Sequence, residues 1–242
     1  MKSGGHSPVA RPASIQDDAP VDTNCFNQVT PAEDMRSVVI GTGARWGKVY
    51  EGLDAEGLAV AGGRNAYIGV GGLTLGKGIS FFSSRFEFVY SNVLSYEIVL
   101  ANGSIVTAPE QSHPDLWYAL KGGGKHFGIV TNITFRAFTS SSIWSDFLYT
   151  TRDQTAKVLS AFHDYVNRAT YDSHAAGPIA CFTYLLQLRI QAVSVNLVYT
   201  SELTQTKGWP RYWAESPFKS VWRVWSTFKV RSLANACDGI VH

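Results

Sequence analysis

No apolar run in the 242-residue chain approaches the roughly 18 residues needed to span a bilayer. Lysine and arginine form no run either. The 21 basic residues stand against 19 acidic ones, a formal net charge of +2, which marks no nucleic-acid surface. Cysteine is scarce: Cys25, Cys181 and Cys237 are too few and too scattered for a disulfide framework or a metal spacing. His6, His113, His126, His163, His174 and His242 show no ligand spacing, so no metal is expected. The opening MKSGGHSP lacks the apolar stretch of a secretory leader. No repeat at solenoid spacing occurs. What remains is a globular composition, 45% hydrophobic and 17% charged, sized for one large domain or two small ones.

Glycine, in contrast, is concentrated. Leu58–Phe82, LAVAGGRNAYIGVGGLTLGKGISFF, holds Gly62, Gly63, Gly69, Gly71, Gly72, Gly76 and Gly78. Each interior Gly costs a helix about 1 kcal/mol against Ala, so the stretch predicts short strands and tight turns. Such a ribbon either presses its backbone against a ligand or is a turn-rich loop without one.

Elsewhere the patterns are more ordinary. Residues 1–37 are polar and broken by Pro8, Pro12, Pro20 and Pro31. Ser37–Gly43 predicts a buried strand, and Arg45–Leu53 a helix with Trp46, Val49, Tyr50 and Leu53 on one face. Val93–Leu100 and Ser104–Ala108 flank Asn102-Gly103, a hairpin signal of the type I′ kind. Pro114–Leu120 predicts a short helix stopped at Gly122-Gly123-Gly124, and Phe127–Phe138 a long strand. A Ser/Thr run at Thr139–Ser142 marks a domain boundary. Beyond it, Gln154–Arg168 predicts a helix with Val158, Leu159, Phe162, Tyr165 and Val166 on one face. Ile179–Leu188 and Ala192–Thr200 predict paired strands. Trp209, Trp213, Phe218, Val221, Trp222 and Trp225 fall in a last helical segment, where an aromatic stripe reads as packing.

Several motifs nearly fit. Gly71 to Gly78 has the glycine and lysine spacing of a P-loop, but Gly78 stands where a magnesium-binding hydroxyl is needed. Gly41-Thr42-Gly43 with Gly47 misplaces the third glycine of a dinucleotide fingerprint, and no acidic residue ends a following strand. Asn102-Gly103-Ser104 and Asn132-Ile133-Thr134 match the glycosylation pattern, the second inside a predicted strand.

Taken together, SGGHSP, GARWGKVYEGLDAEGLAVAGGR, VGGLTLGKGISFFSSR, NVLSYEIVLANGSIVTA and PDLWYALKGGGKHFGIVT resemble one family. They are similar to the FAD-linked oxidases of the vanillyl-alcohol-oxidase type, nearest to the fungal berberine-bridge-enzyme-like oxidoreductases. The resemblance is strong over residues 1–138 and looser over 139–230. It implies an α+β fold: a partial, two-lobed FAD-binding domain of the PCMH type over 1–138, then an incomplete substrate domain over 139–242. That second domain would have an antiparallel sheet with helices behind it.

The implied cofactor is FAD, with Ser3, Gly4, Gly5, His6 and Ser7 forming a pyrophosphate-binding turn and His6 the point of covalent attachment. Successive Gly-turn amides suit an anion, and a neutral imidazole is a competent nucleophile. Asn65, Ala66, Ile68, Gly69, Gly71, Gly72, Gly76 and Gly78 would follow the pyrophosphate and ring. Asn92 and Val93, with Gly128, Ile129 and Val130, would line the adenine and ribose. Some members add a second link through a cysteine; here that position is Asn65, so one link at most is expected.

The chain also departs from the pattern. Lys77 stands for a usual Gly, and Ser84, Glu87, Tyr90 and Ser91 for a usual Gly, Gly, Cys and Asp. Bulk at the glycine positions would close the backbone approach. The family domain normally begins upstream of Ser-Gly-Gly-His and runs past this chain's end, so truncation at both ends is expected, with an unpaired sheet edge and low solubility. No catalytic base is assigned; Glu97 and Asp146 read as solvated carboxylates.

The function implied is hydride removal from a small organic substrate by an FAD-dependent oxidase, with molecular oxygen as acceptor. Two alternatives stand beside it: an inactive truncated paralogue serving as a binding remnant, and a flavin-dependent cyclase. Neither a nucleic-acid nor a membrane partner is expected. The family is often secreted.

Overall fold

In a computed structural model, described residues are 2–6, 20–140, 143–167, 172–186, 189–200, 225–226 and 229–231. The chain divides into two compact units, Met1–Ser141 and Ser142–Arg231. Both are mixed helix and antiparallel sheet, the α+β class.

The first unit is built on strands β1 (Val29–Pro31), β2 (Ser37–Gly41), β3 (Leu58–Val60), β4 (Val93–Val99), β5 (Ile105–Pro109) and β6 (Ile129–Thr139). Their order is β1-β2-β6-β4-β5, with β3 joined to the far end of β6, every pair antiparallel. The long β6 is thus the spine: Ile133 pairs with Ile40 on one side and Tyr96 on the other. Ile40, Tyr96, Ile98, Ile133 and Phe135 are all fully buried.

Helix α1 (Trp46–Asp54) covers that core with the face its spacing predicts: Trp46, Val49, Tyr50 and Leu53 are buried. Trp46 stacks on Tyr50 at 5.7 Å and meets the edge of Phe135 at 5.8 Å. Fully burying each such side chain contributes about 1.5–3 kcal/mol. Two glycines of the rich stretch serve this helix. A Cβ on Gly62 would lie 2.2 Å from the Trp46 ring and one on Gly63 2.5 Å from it. Tyr50 donates its hydroxyl hydrogen to the Gly63 carbonyl at 2.9 Å.

Against the strands and turns expected there, part of the glycine stretch is helical. Helix α2 (Val70–Leu75) contains Gly71 and Gly72. Its start is fixed by tertiary bonds, Val70 N–H to Ala44 O (2.9 Å) and Gly71 N–H to Thr42 O (3.1 Å). Those bonds override the weak helix propensity of glycine. A second short helix, α3 (Ser83–Phe86), follows, its Phe86 beside Phe82 and Phe138.

The β4–β5 hairpin also differs from the type I′ turn expected. Gly103 takes a positive φ (+81°) but Asn102 does not. Gly103 N–H bonds Leu100 O and Leu100 N–H bonds Ser104 O, both at 2.9 Å, giving a three-residue loop that ends in a left-handed glycine. Asn102 contributes through its side chain, accepting from Ser104 N–H at 3.0 Å. Helix α4 (Pro114–Leu120) ends before the triple glycine, as expected.

The second unit has β7 (Ile143–Thr151), β8 (Ala175–Leu185), β9 (Ile190–Tyr199), β10 (Trp225–Ser226) and β11 (Lys229–Arg231). The order is β10-β7-β9-β8, with β11 also on β7. Helix α5 (Thr155–Val166) packs on the sheet through Val158 and Ala161, against Trp144, Leu148, Val193, Val195 and Leu197. Tyr165 joins that cluster. Leu159 (53% exposed), Phe162 and Val166 (64%) do not, contrary to the predicted face. The apolar arc of this helix is wider than the sheet beneath it, and 158, 161 and 165 form its centre line. Trp225 belongs to a strand paired with β7 and not to a helix. Trp209, Trp213, Phe218, Val221, Trp222, Cys237 and His242 lie outside the described residues.

Candidate functional site

Ser3, at the head of the Ser-Gly-Gly-His turn, is the first anchor of the site. Its hydroxyl donates to Thr42 O at 2.6 Å. The next residue, Gly4, lies back to back with Gly69. A Cβ on Gly4 would be 2.4 Å from Gly69 N, and one on Gly69 2.4 Å from Gly4 N. Backbone approach this close exists only because neither residue has a side chain. Gly5 follows with φ +68°, the left-handed step of a tight turn. His6 is exposed, beyond that turn. Residues before the turn are tied down as well: Lys2 N–H bonds Val21 O at 2.7 Å, and Thr23 N–H bonds Lys2 O at 2.9 Å.

Thr42 is the hub that sequence reasoning missed. Its carbonyl accepts from Ser3 and from Gly71 N–H, and its own hydroxyl donates to Val130 O at 2.8 Å. It thereby joins the N-terminal turn, α2 and the start of β6. The only signal was Gly41-Thr42-Gly43 itself. Those glycines serve packing: a Cβ on Gly41 would meet Phe26 O at 2.3 Å. They let the Thr23–Phe26 segment cross the backbone around Thr42.

The other expected residues sort by position. Gly69, Gly71 and Val130 converge on Thr42 and the turn. Asn65, Ala66 and Ile68 form the approach to it. Asn65 Oδ1 accepts from Tyr67 N–H at 2.9 Å, and the carbonyls of Ala66 and Ile68 accept from Gly47 and Trp46, both at 3.0 Å. Gly72 is exposed, with nothing within 4 Å of where its Cβ would stand. Gly76 and Gly78 lie past the end of α2, Gly78 against Val89 and Leu73. Asn92 is buried and donates to Phe86 O (2.7 Å) and Phe88 O (3.1 Å), so its amide holds the preceding loop. Val93 and Val130 are buried, and a Cβ on Gly128 would meet Val99 O at 2.4 Å. Ser7 lies outside the described residues.

Glu97 is not the free surface carboxylate expected. Its Oε1 accepts from Asn132 Nδ2 at 2.7 Å and Thr131 Oγ1 at 2.5 Å. Gln28 Nε2 extends the chain by donating to Asn132 Oδ1. Register explains this: Glu97 pairs with Asn132, so their side chains share one sheet face. The side chain of Asp146 lies outside the described part. Among the described residues no cluster of His, Cys, Asp and Glu could hold a metal, and no helix is long and apolar enough to cross a membrane.

This donor set fits a dinucleotide diphosphate. A left-handed Gly5 in a turn clamped by Ser3 presents amides without side chains, and Gly72, the next residue after Gly71 in α2, is exposed with nothing near its Cβ position. Fold and turn together define a chain of the FAD-binding class.

A family model described as an FAD binding domain matches residues 1–109. An uncharacterized FAD-linked oxidoreductase of Arthroderma benhamiae is 40% identical over 173 residues, 71% of this chain and 35% of that protein. A bifunctional solanapyrone synthase of Alternaria solani is 32% identical over 228 residues, 94% of this chain and 43% of that protein. Among solved structures, 6-hydroxy-D-nicotine oxidase from Arthrobacter nicotinovorans superimposes with a TM-score of 0.83 over 100% of this chain and 52% of that one, at 22% identity. The chain therefore spans about half or less of the length of these relatives. Residues 1–109 thus match an FAD-binding domain, and the chain is similar to FAD-linked oxidoreductases, in line with the vanillyl-alcohol-oxidase and berberine-bridge-enzyme-like resemblance of its motifs.

Proposed function

We propose that this chain supplies the FAD-holding half of an oxidase that removes hydride from a small organic molecule. The observation that carries the reading is the back-to-back contact of Gly4 with Gly69, which joins the N-terminal turn to the glycine ribbon. In this reading residues 1–138 are the C-terminal portion of the FAD-binding domain and 139–242 part of a substrate domain.

The amides of Gly4 and Gly5 bind the diphosphate, in a turn that Ser3 fixes to Thr42. Gly69, Gly71 and Gly72 keep the adjoining wall free of side chains. His6, exposed beyond the left-handed Gly5, is the point of covalent attachment to the flavin ring. Asn65 offers no thiolate and caps its own turn through Tyr67, so a second link is absent. Gly76 and Gly78 shape the far end of the ribbon. Asn92 and Val93 with Gly128, Ile129 and Val130 form the adenine and ribose side, Asn92 by rigidifying the loop before it. When bound, FAD supplies the acceptor for the hydride equivalent. The oxidase named among the solved structures supports molecular oxygen as the final acceptor.

Intact mass after acid denaturation tests the assignment. The wild-type chain expressed with FAD is expected to carry one covalently retained FAD, and His6→Ala to lose it while still binding FAD reversibly. Equal retained mass in both proteins would contradict the role of His6.

A further inference from the structure

The chain holds two Asn-X-Ser/Thr tripeptides, and the fold treats them in opposite ways. Asn102-Gly103-Ser104 forms the tip of the hairpin between β4 and β5, just past the pair Val99–Ile105. All three residues are exposed. Because β5 is the last strand of its sheet, the tip stands at a corner. Gly103 has nothing within 4 Å of where a Cβ would be. A loop outside the ladder can enter an enzyme's site without opening any strand pair.

The turn itself orients the Asn102 side chain. Its Oδ1 accepts from Ser104 N–H at 3.0 Å and from the Ser104 hydroxyl at 2.7 Å. A backbone N–H can only donate, so the amide oxygen faces the turn and the amide nitrogen faces away from it. That nitrogen donates to nothing among the described residues. The hydroxyl that the tripeptide requires two residues on is thus held against the amide it serves.

Asn132-Ile133-Thr134 has none of these properties. It lies in the middle of β6, paired on both sides with β2 and β4. Ile133 is fully buried. Asn132 is half-buried, donates from Nδ2 to Glu97 Oε1 at 2.7 Å and accepts at Oδ1 from Gln28 Nε2. A sugar on that nitrogen would break the Glu97 bond and force bulk onto the face of the central strand. A chain so modified would not reach the folded, soluble state.

We propose that Asn102 is the acceptor of an N-linked glycan when the chain passes a secretory lumen, and that Asn132 is not. The donor is an oligosaccharide carried on a polyprenyl diphosphate. Asn102 Nδ2 forms a bond to the anomeric carbon of the first sugar, and the bond from that carbon to the diphosphate breaks. The amide gives up one proton, and the lipid diphosphate leaves.

The full chain, expressed in a eukaryotic host behind a cleavable secretory leader, tests this on the soluble fraction. Wild type is expected to carry a glycan that peptide N-glycosidase releases. Release in heavy-oxygen water marks the modified residue, and so separates it from spontaneous deamidation of the Asn-Gly pair. The label is expected at Asn102 alone. Asn102→Gln and Ser104→Ala, both at exposed positions, are each expected to lose the whole mass shift, and Asn132→Gln to keep it. Three results would overturn the proposal: an unmodified soluble wild type, a retained shift in Asn102→Gln or Ser104→Ala, or label at Asn132.

Discussion

Lys77 and Glu87, where the resemblance leads one to expect glycine, both take a glycine-like backbone. Lys77 has φ +87°, and Glu87 has φ +61° with ψ −148°. Side chains at such angles are strained by about 1–2 kcal/mol. Lys77→Gly and Glu87→Gly are therefore each expected to raise stability by about 1 kcal/mol, read as an upward shift of the urea midpoint. A downward shift would mean that side-chain contacts outweigh the strain. Tyr96 tells a different residue story. Its ring is fully buried on β4, its hydroxyl has no partner, and desolvation pushes its pKa up. A folded-state value above the unfolded one of about 10 means its contribution is complete below that pH and is lost as pH rises beyond it. Tyr96→Phe removes both the orphan hydroxyl and that titration. It is expected to gain up to about 1 kcal/mol at neutral pH and to flatten the alkaline limb of the stability–pH curve.

At the scale of elements, spacing was a good guide where one face meets a core and a poor one where tertiary bonds decide. The α1 face was legible because 46, 49, 50 and 53 repeat at helical period and all four are buried. Helix α2 was not, because its first amides are held by Thr42 and Ala44, a contact no local pattern reveals. The α5 face was read too broadly, since periodicity cannot say how wide the opposing sheet is. Val158→Asp is accordingly expected to unfold the second unit, with a cost above about 3 kcal/mol, and Leu159→Asp to change it by less than about 0.5. Equal effects in circular dichroism melts would restore the broader face. The glycine ribbon separates in the same way. Gly69→Ala would drive a Cβ to 2.4 Å from Gly4 N and is expected to free residues 2–6, seen as faster proteolysis of the N-terminus. Gly72→Ala meets nothing and is expected to leave proteolysis unchanged.

For the whole molecule, the sequence carried the class and the approximate order of elements, because five motifs had to be satisfied by one fold. It could not carry Thr42, whose role depends on three segments distant in sequence meeting at one carbonyl and one hydroxyl. Among the described residues β1 is a three-residue strand at the sheet edge, paired with β2.

Amide hydrogen exchange, with and without FAD, tests the central claim most directly. If the Gly4–Gly69 junction cradles the cofactor's diphosphate, protection is expected at Gly4–His6 and Gly69–Gly72, with the α5 amides unchanged. FAD bound without protection at those two segments would contradict the account.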